Sequence, residues 1–435
     1  MTARTRRNTV LAVDFGSSSV RIAVASIAPN ERIQVLYMGE APTSGALVNG
    51  IIQDRRNAMD VFNSAVSSAL GKTGHKPATV FASAAFMEKV STIKDGRVKI
   101  RSGIVTGELL EEAREAAKQQ CLEPAMCCLR SQTAEEWKID DQQVANPIGI
   151  RGNILRTRLH FAQIPMMAVE NIRALIESAG FQLEDLVFAP IAAALGCITD
   201  EDKIMGVAVV DLGMKHTGLA VYQGRSLVGT CNSDMGTELI IADLMAVTNC
   251  HEYEARQLLF EYGLIHTPID AEDIGLDTGI DSMEQLPSPG RQSKDHTAVK
   301  IHTGTRDIDR ATISEVISAR VEEIFRKSLS SVLNDPALRS SLNRGIILTG
   351  GGANIPRIAN YISARYRLLV RIGLPLEIQG WLPSLLTPTY TPLAGIVAHA
   401  AHYEKDRADG LLGTRDSAHS GGAWSSLMRW LGNFF

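Results

Sequence analysis

At 435 residues, 45% hydrophobic and 21% charged, the chain has the composition of a soluble globular protein too long for one ordinary core, and roughly two to four subdomains are expected. A net charge of −4 and a pI of about 6.2 give no reason to expect bulk nucleic-acid binding. Six cysteines without paired metal spacing read as reduced thiols, and no apolar run approaches the ~18–20 residues of a membrane span.

Arginines at 4, 6 and 7 precede only Val10 to Val13 before Asp14 ends the apolar run, too short for a signal-peptide core, so the chain is expected to stay in the cytosol. Val10–Val13 and Val20–Ala25 read as strands around a turn, and Ile33–Tyr37 as a third. Met59, Phe62, Val66 and Leu70 space a helix, followed by a strand over Val80–Ala84. Residues 85–162 break this pattern with a helix over 108–119 and short strands, among them Arg156–Phe161, and read as an inserted small α+β subdomain. Ile164–Gly180 reads as a helix closed by glycine at C′, then Val187–Pro190 as a strand turning through proline into Ile191–Gly196. A second lobe opens near Gly206. Residues 266–308, rich in Asp, Gly, Pro and Ser, read as a surface loop. Ala311–Leu333 reads as a long helix, Gly345–Thr349 as a buried strand, Pro356–Tyr366 as a helix and 404–421 as a flexible tether.

Three loops have the parts of a phosphate or nucleoside site. In Asp14-Phe-Gly-Ser-Ser-Ser19 an apolar strand ends in Asp-x-Gly and a second one resumes, and Asp211-Leu-Gly213 repeats the pattern 197 positions later. Gly16 admits close approach of an anion, the amides and hydroxyls of Ser17 and Ser18 donate to it, and Asp14 suits a Mg²⁺ held through water. The third loop, Thr349-Gly350-Gly351-Gly352-Ala-Asn354, leaves no side chain between backbone and a flat ligand, with Asn354 placed to cap a following helix. Gly71-Lys-Thr73 is not a P-loop, because Val66 stands where that motif needs glycine.

These loops, in this order, resemble the actin-like ATPase superfamily, and within it the FtsA family of bacterial cell-division proteins. Asn146-Pro-Ile-Gly149 with Arg156-Thr-Arg-Leu-His160 is similar to the end of that family's extra subdomain, Pro190-Ile-Ala-Ala-Ala194 to the interlobe helix, and Val370-Arg-Ile-Gly-Leu-Pro375 to the strand after the adenosine loop. The resemblance covers roughly 9–402 and the tail. It implies an α/β, two-lobed actin-like fold of duplicated ribonuclease-H-like domains, with 9–84 plus 163–205 as first lobe, 85–162 inserted and 206–403 as second lobe. It implies ATP and Mg²⁺ as ligands, with Asp14, Gly16, Ser17, Ser18, Asp211 and Gly213 at the phosphates and Asp14 and Asp211 near the metal. Gly350, Gly351 and Gly352 would lie on the adenosine, Gly236 near the ribose, and Glu315 and Arg320 near base or ribose. Glu315 also completes a capping box with Thr312, and both readings stand.

The second loop departs from the family's Asp-x-Gly-Gly-Gly-Thr-x-Asp: Met214-Lys215-His216-Thr217-Gly218 loses two glycines and a carboxylate. Ala189 stands where several relatives carry a glutamate that orients water. Lys215 can replace a phosphate contact but not act as a base while charged. Nucleotide binding with at most weak ATPase activity is therefore expected, and no catalytic residue is assigned.

The last fourteen residues, 422–435, place Trp424, Leu427, Met428, Leu431, Phe434 and Phe435 within about 120° of a helix circumference, with Arg429 roughly opposite and Trp430 at the margin. At ~1.5 Å per residue the helix is about 21 Å long, too short to span, and is expected to lie in the membrane interface. With the resemblance, this predicts a scaffold that self-associates into filaments and tethers FtsZ to the cytoplasmic face of the inner membrane at the septum, recruiting later division proteins. A sugar kinase of the same fold and an actin-like pilus-assembly protein are the alternatives.

Overall fold

The computed structural model describes residues 8–28, 32–71, 77, 79–88, 90–121, 123–130, 135–264, 300–303 and 306–411. The first lobe contains β1 (Asn8–Phe15), β2 (Ser19–Ile27), β3 (Ile33–Pro42), the short hairpin β4 (Leu47–Val48) and β5 (Ile51–Ile52), α1 (Arg55–Leu70) and β6 (Thr79–Ala84). The inserted subdomain follows with β7 (Val90–Lys99), α2 (Gly107–Lys118), β8 (Met126–Arg130), β9 (Glu136–Ile139), β10 (Gln142–Val144) and β11 (Ile154–Pro165). The chain returns through α3 (Met166–Ser178), β12 (Gln182–Phe188) and α4 (Ala189–Leu195), and α5 (Asp200–Met205) leads to the second lobe. That lobe holds β13 (Val207–Leu212), β14 (Thr217–Gln223), β15 (Ser226–Ser233), α6 (Thr237–Thr248), α7 (Glu252–Gln257), the hairpin β16 (Lys300–Thr303) and β17 (Arg306–Asp309), and α8 (Arg310–Ser328). It closes with α9 (Ser330–Leu333), α10 (Pro336–Ser340), β18 (Ile346–Thr349), α11 (Ile358–Tyr366) and β19 (Val370–Ile372), and the chain then returns in α12 (Thr391–Ala408), which packs on α4 and on β1, β2 and β6 of the first sheet.

The two main sheets are built alike. The first has the order β12-β6-β1-β2-β3 and the second β19-β18-β13-β14-β15. In each, the central strand pairs antiparallel with the strand after the Asp-x-Gly turn and parallel with a later strand. Both central strands are buried on both faces, which explains their continuous apolar runs. The common register puts Asp14 beside Ser83 of β6 and Asp211 beside Thr349 of β18. The duplicated motif is thus a duplicated position at the end of a central strand.

The lobes are joined by two crossing helices with almost no side chain between them. Every residue of α4 is buried. A Cβ on Gly395 of α12 would stand 1.7 Å from the Ala192 carbonyl oxygen, and one on Gly196 would stand 1.9 Å from that of Thr391. One hydrophobic core therefore runs from the first sheet through α4 and α12 to Val209, Ala220, Tyr222 and Ile347 of the second. Gly395→Ala is expected to cost about 1–3 kcal/mol through overpacking, seen as a lower denaturant midpoint at unchanged slope.

Several local expectations are corrected. Ile164 and Pro165 belong to β11, because pairing with Cys127 and Met126 extends that strand before α3 begins, although Gly180 does close the helix at φ +80°. Ala189 and Pro190 are the first turn of α4, not the end of a strand. The helix expected over 311–333 stops at Ser328 and resumes as α9, and its N-cap is Asp309, so Thr312 and Glu315 form no capping box. Asn354 does not cap α11, which starts at Ile358 behind a left-handed Arg357; its amide bonds the Gly351 carbonyl and Thr389 instead. The proposed 266–308 loop ends in the β16–β17 hairpin, its first part lying outside the described residues. The tether placed at 404 is still helix to Ala408, and 412–435, with the whole proposed membrane helix, lie outside the described residues.

Candidate functional site

The ends of β1, β13 and β18 converge on a cavity of about 140 Å³ between the lobes. Asp14, Gly16, Ser17, Ser18, Asp211, Gly213, Gly350 and Gly351 all line it. The structure therefore brings together eight of the thirteen residues proposed for a nucleotide. Gly16 is needed where it is, since a Cβ would lie 2.9 Å from the Ser19 carbonyl oxygen. Gly350 has φ +81° and packs so tightly that a Cβ would meet an Asp211 carboxylate oxygen at 2.2 Å.

The other five lie elsewhere. Lys215 turns away to pair with Glu238 at 2.7 Å. Gly236 caps α6 and packs on the Met214 carbonyl, and Gly352 packs on the Leu212 side chain. Arg320 clamps Asp243 of α6 through Nε at 2.6 Å and Nη2 at 2.9 Å, which fixes α8 against α6. Glu315 is exposed on α8, away from the cavity lining. The N-terminus of α6 is likewise committed to the second loop, as Thr237 and Glu238 donate their amides to the carbonyls of Gly213 and Met214.

Sequence reasoning missed Arg21, His216, Thr237, Arg256, Phe260 and Thr389 on the cavity wall. An arginine inside the wholly buried β2 was the available signal for Arg21. Its guanidinium has Nη1 3.5 Å from Asp14 Oδ2 and Nε 3.1 Å from Glu40 Oε1, and it stacks 5.3 Å from the centre of the Tyr390 ring. Ser83 donates its hydroxyl to the other Asp14 oxygen at 2.8 Å. Burial pushes the Asp14 carboxyl above the usual range, against Arg21 and Ser83, which favour its charge. Burial also works to raise Glu40, but hydrogen bonds from Ser19 and Tyr390 and the Arg21 charge hold it below the ordinary value. His216 Nε2 lies 3.5 Å from Asp211 Oδ2, and neither ring nitrogen has a hydrogen-bond partner. Arg256 and Phe260 reach the cavity from α7 and the π-helical turn after it, and no local pattern marks them.

Residues 162–376 match the family model MreB/Mbl protein. The chain is 27% identical to cell division protein FtsA of Neisseria meningitidis serogroup B over 97% of its own length and 98% of that protein's. It is 24% identical to FtsA of Escherichia coli K12, over 93% and 92%. Among solved structures it resembles a chain of the PilM–PilN type IV pilus biogenesis complex (TM-score 0.60, 14% identity, 90% of this chain and 98% of that one). It also resembles MreB5 of Spiroplasma citri bound to ADP (TM-score 0.52, 14% identity, 92% and 98%). At these identities the two structures establish the fold alone.

Proposed function

We propose that this chain, an FtsA-like cell-division member of the actin-like superfamily, binds adenine nucleotide in its cleft, assembles into filaments and ties FtsZ to the cytoplasmic face of the inner membrane at the septum. Later division proteins would be recruited to the same scaffold. The observation that carries this is likeness to FtsA proteins along nearly the whole length of both chains. The nucleotide reading is supported by two Asp-x-Gly turns facing each other across one cavity, with glycines of the third loop on its wall.

Turnover in such a site would be slow. The carboxylates lining the cavity are Asp14 and Asp211, each already facing a basic side chain, and Ala189 offers nothing to orient water. The likeness to the PilM–PilN chain concerns fold only and does not favour a pilus role. Among the described residues no helix is long and apolar enough to cross a membrane, so attachment falls to residues 422–435. One short apolar helix binds a bilayer reversibly, and a filament multiplies the contact by effective concentration.

The test is flotation with phospholipid vesicles of the full chain and of a chain ending at residue 421, each with FtsZ. The full chain is expected to float and carry FtsZ with it, and the shortened chain to stay at the bottom. Equal flotation of both, or an FtsZ left behind by a floating full chain, would overturn the tether.

A further inference from the structure

We infer that the outer tip of the inserted subdomain is a second membrane contact, docking on anionic lipid headgroups beside the point where the C-terminal tail leaves. The inference rests on the membrane reading of residues 422–435 above. That segment carries one cation, Arg429, so the attachment it provides is almost wholly apolar. A single short apolar anchor holds a bilayer weakly, and stable attachment takes a second signal, commonly a cluster of basic residues. The tip is built from residues 100–107 and 147–153, whose backbones are tied together. Val105 donates to the Ile150 carbonyl at 3.0 Å, Gly149 to that of Val105 at 2.9 Å and Ile100 to that of Asn153 at 2.8 Å. Ile104 is 38% and Ile150 37% exposed there, with the exposed Arg101 and Arg151 close by in the same two loops. Aliphatic side chains flanked by cations suit the boundary between acyl chains and phosphates.

The positive charge continues from the tip onto the sheet. Arg156 of β11 stands opposite Arg97 of β7 on one side and Lys138 of β9 on the other, and Lys99 lies two residues beyond Arg97 on the same face. Like charges set opposite one another weaken a sheet unless an anion faces them. Among the described residues only Arg156 of these cations has an ion pair, with Asp141 at 2.6 Å. The nearby carboxylates are otherwise engaged or set back. Asp140 accepts from the amides of Asn153 and Ile154, Glu108 is in the first turn of α2, and Asp95 and Glu136 lie one row nearer the second lobe, opposite Arg158. The exit of the tail selects lipid as the partner. Leu411 packs on the core of the insertion and its carbonyl accepts from Arg114 Nη1 at 2.7 Å, while the Gly410 carbonyl oxygen lies 3.2 Å from where a Cβ on Gly107 would stand. The chain beyond residue 411 therefore starts from this same end of the insertion, and a tail held in a bilayer keeps the tip near its surface.

The experiment is titration of the full chain with vesicles of phosphatidylcholine alone and of phosphatidylcholine with about one-third phosphatidylglycerol. The native chain is expected to bind the anionic vesicles at least about tenfold more tightly, an advantage that disappears in about 0.5 M salt. A chain carrying Lys99→Gln, Arg101→Gln, Lys138→Gln and Arg151→Gln is expected to lose that advantage while binding phosphatidylcholine within about twofold of native. All four side chains belong to exposed residues, and an unchanged melting temperature checks that the variant is folded. Equal binding of the native chain to the two compositions overturns the inference and leaves the role of the tail intact. A folded variant that keeps the advantage also overturns it, and would leave the cluster to an acidic protein partner. Binding to neither composition overturns the membrane reading of the tail together with this inference.

Discussion

Replacing Arg114 by alanine is expected to destabilise the inserted subdomain by about 3–5 kcal/mol, the cost of stranding a buried charge. The Arg114 side chain is 6% exposed and that of its partner Glu135 8%. Nε and Nη2 meet the two carboxylate oxygens at 2.9 and 2.7 Å, and the guanidinium lies 5.2 Å from the centre of the Trp137 ring. Nη1 pairs with Glu111 and donates to the Leu411 carbonyl at 2.7 Å. Burial works against the charge on Arg114, but these carboxylates more than offset it and hold its pKa above the ordinary value. One side chain thus joins α2, the segment before β9 and the exit of α12. Urea unfolding followed by tryptophan fluorescence reports the loss directly, since Trp137 is in the affected core. Arg114→Met with Glu135→Leu is expected to recover most of it, because neither charge is then left alone. A single-variant midpoint within about 0.5 kcal/mol of native would show that the pair does not hold the subdomain.

Glu88→Gln is expected to stabilise the protein by up to about 3 kcal/mol at pH 8 and hardly at all at pH 4. Glu88 sits where the inserted subdomain meets β15, accepting from the Thr230 hydroxyl at 2.7 Å and from the Asn232 backbone N–H. Burial raises its pKa to about 7, from 4.5, despite these bonds. The native state therefore holds a proton that the unfolded chain releases above about pH 4.5, and stability is lost as pH rises through that window to 7. His160, bonded to Ser91 at 2.8 Å in the same contact, has the opposite sign: burial lowers it to about 4 from 6.5, so stability is lost as pH falls through 6.5 toward 4. The two slopes nearly cancel in the native chain. Thermal unfolding from pH 4 to 8 checks this through the difference between variant and native, which must grow with pH. A difference constant with pH would mean that Glu88 carries no shifted proton.

The sequence was most informative where structure is local. Continuous apolar runs ending in Asp-x-Gly specify a strand buried on both faces and its turn by run length and turn chemistry alone, and a repeat of that pattern implies a repeat of the sheet. This is why Asp14, Gly16, Asp211 and Gly213 were found by reading and do line one cavity. Helix limits failed where a partner strand or a cap outside the local pattern decided them, as at Ile164 and Asn354.

What a side chain does inside the cleft was settled by packing. Lys215 and Arg320 had the right charge for a phosphate or a ribose, yet α6 supplies Glu238 and Asp243 at contact distance and takes both. Arg21, unremarked in the sequence, reaches Asp14 because the hairpin register sets the two residues opposite each other. A turn's chemistry is contained in a few consecutive residues. The partner of a long charged side chain is chosen by other elements, as Glu238 and Asp243 of α6 are for Lys215 and Arg320, and becomes defined only when the sheets and helices have packed.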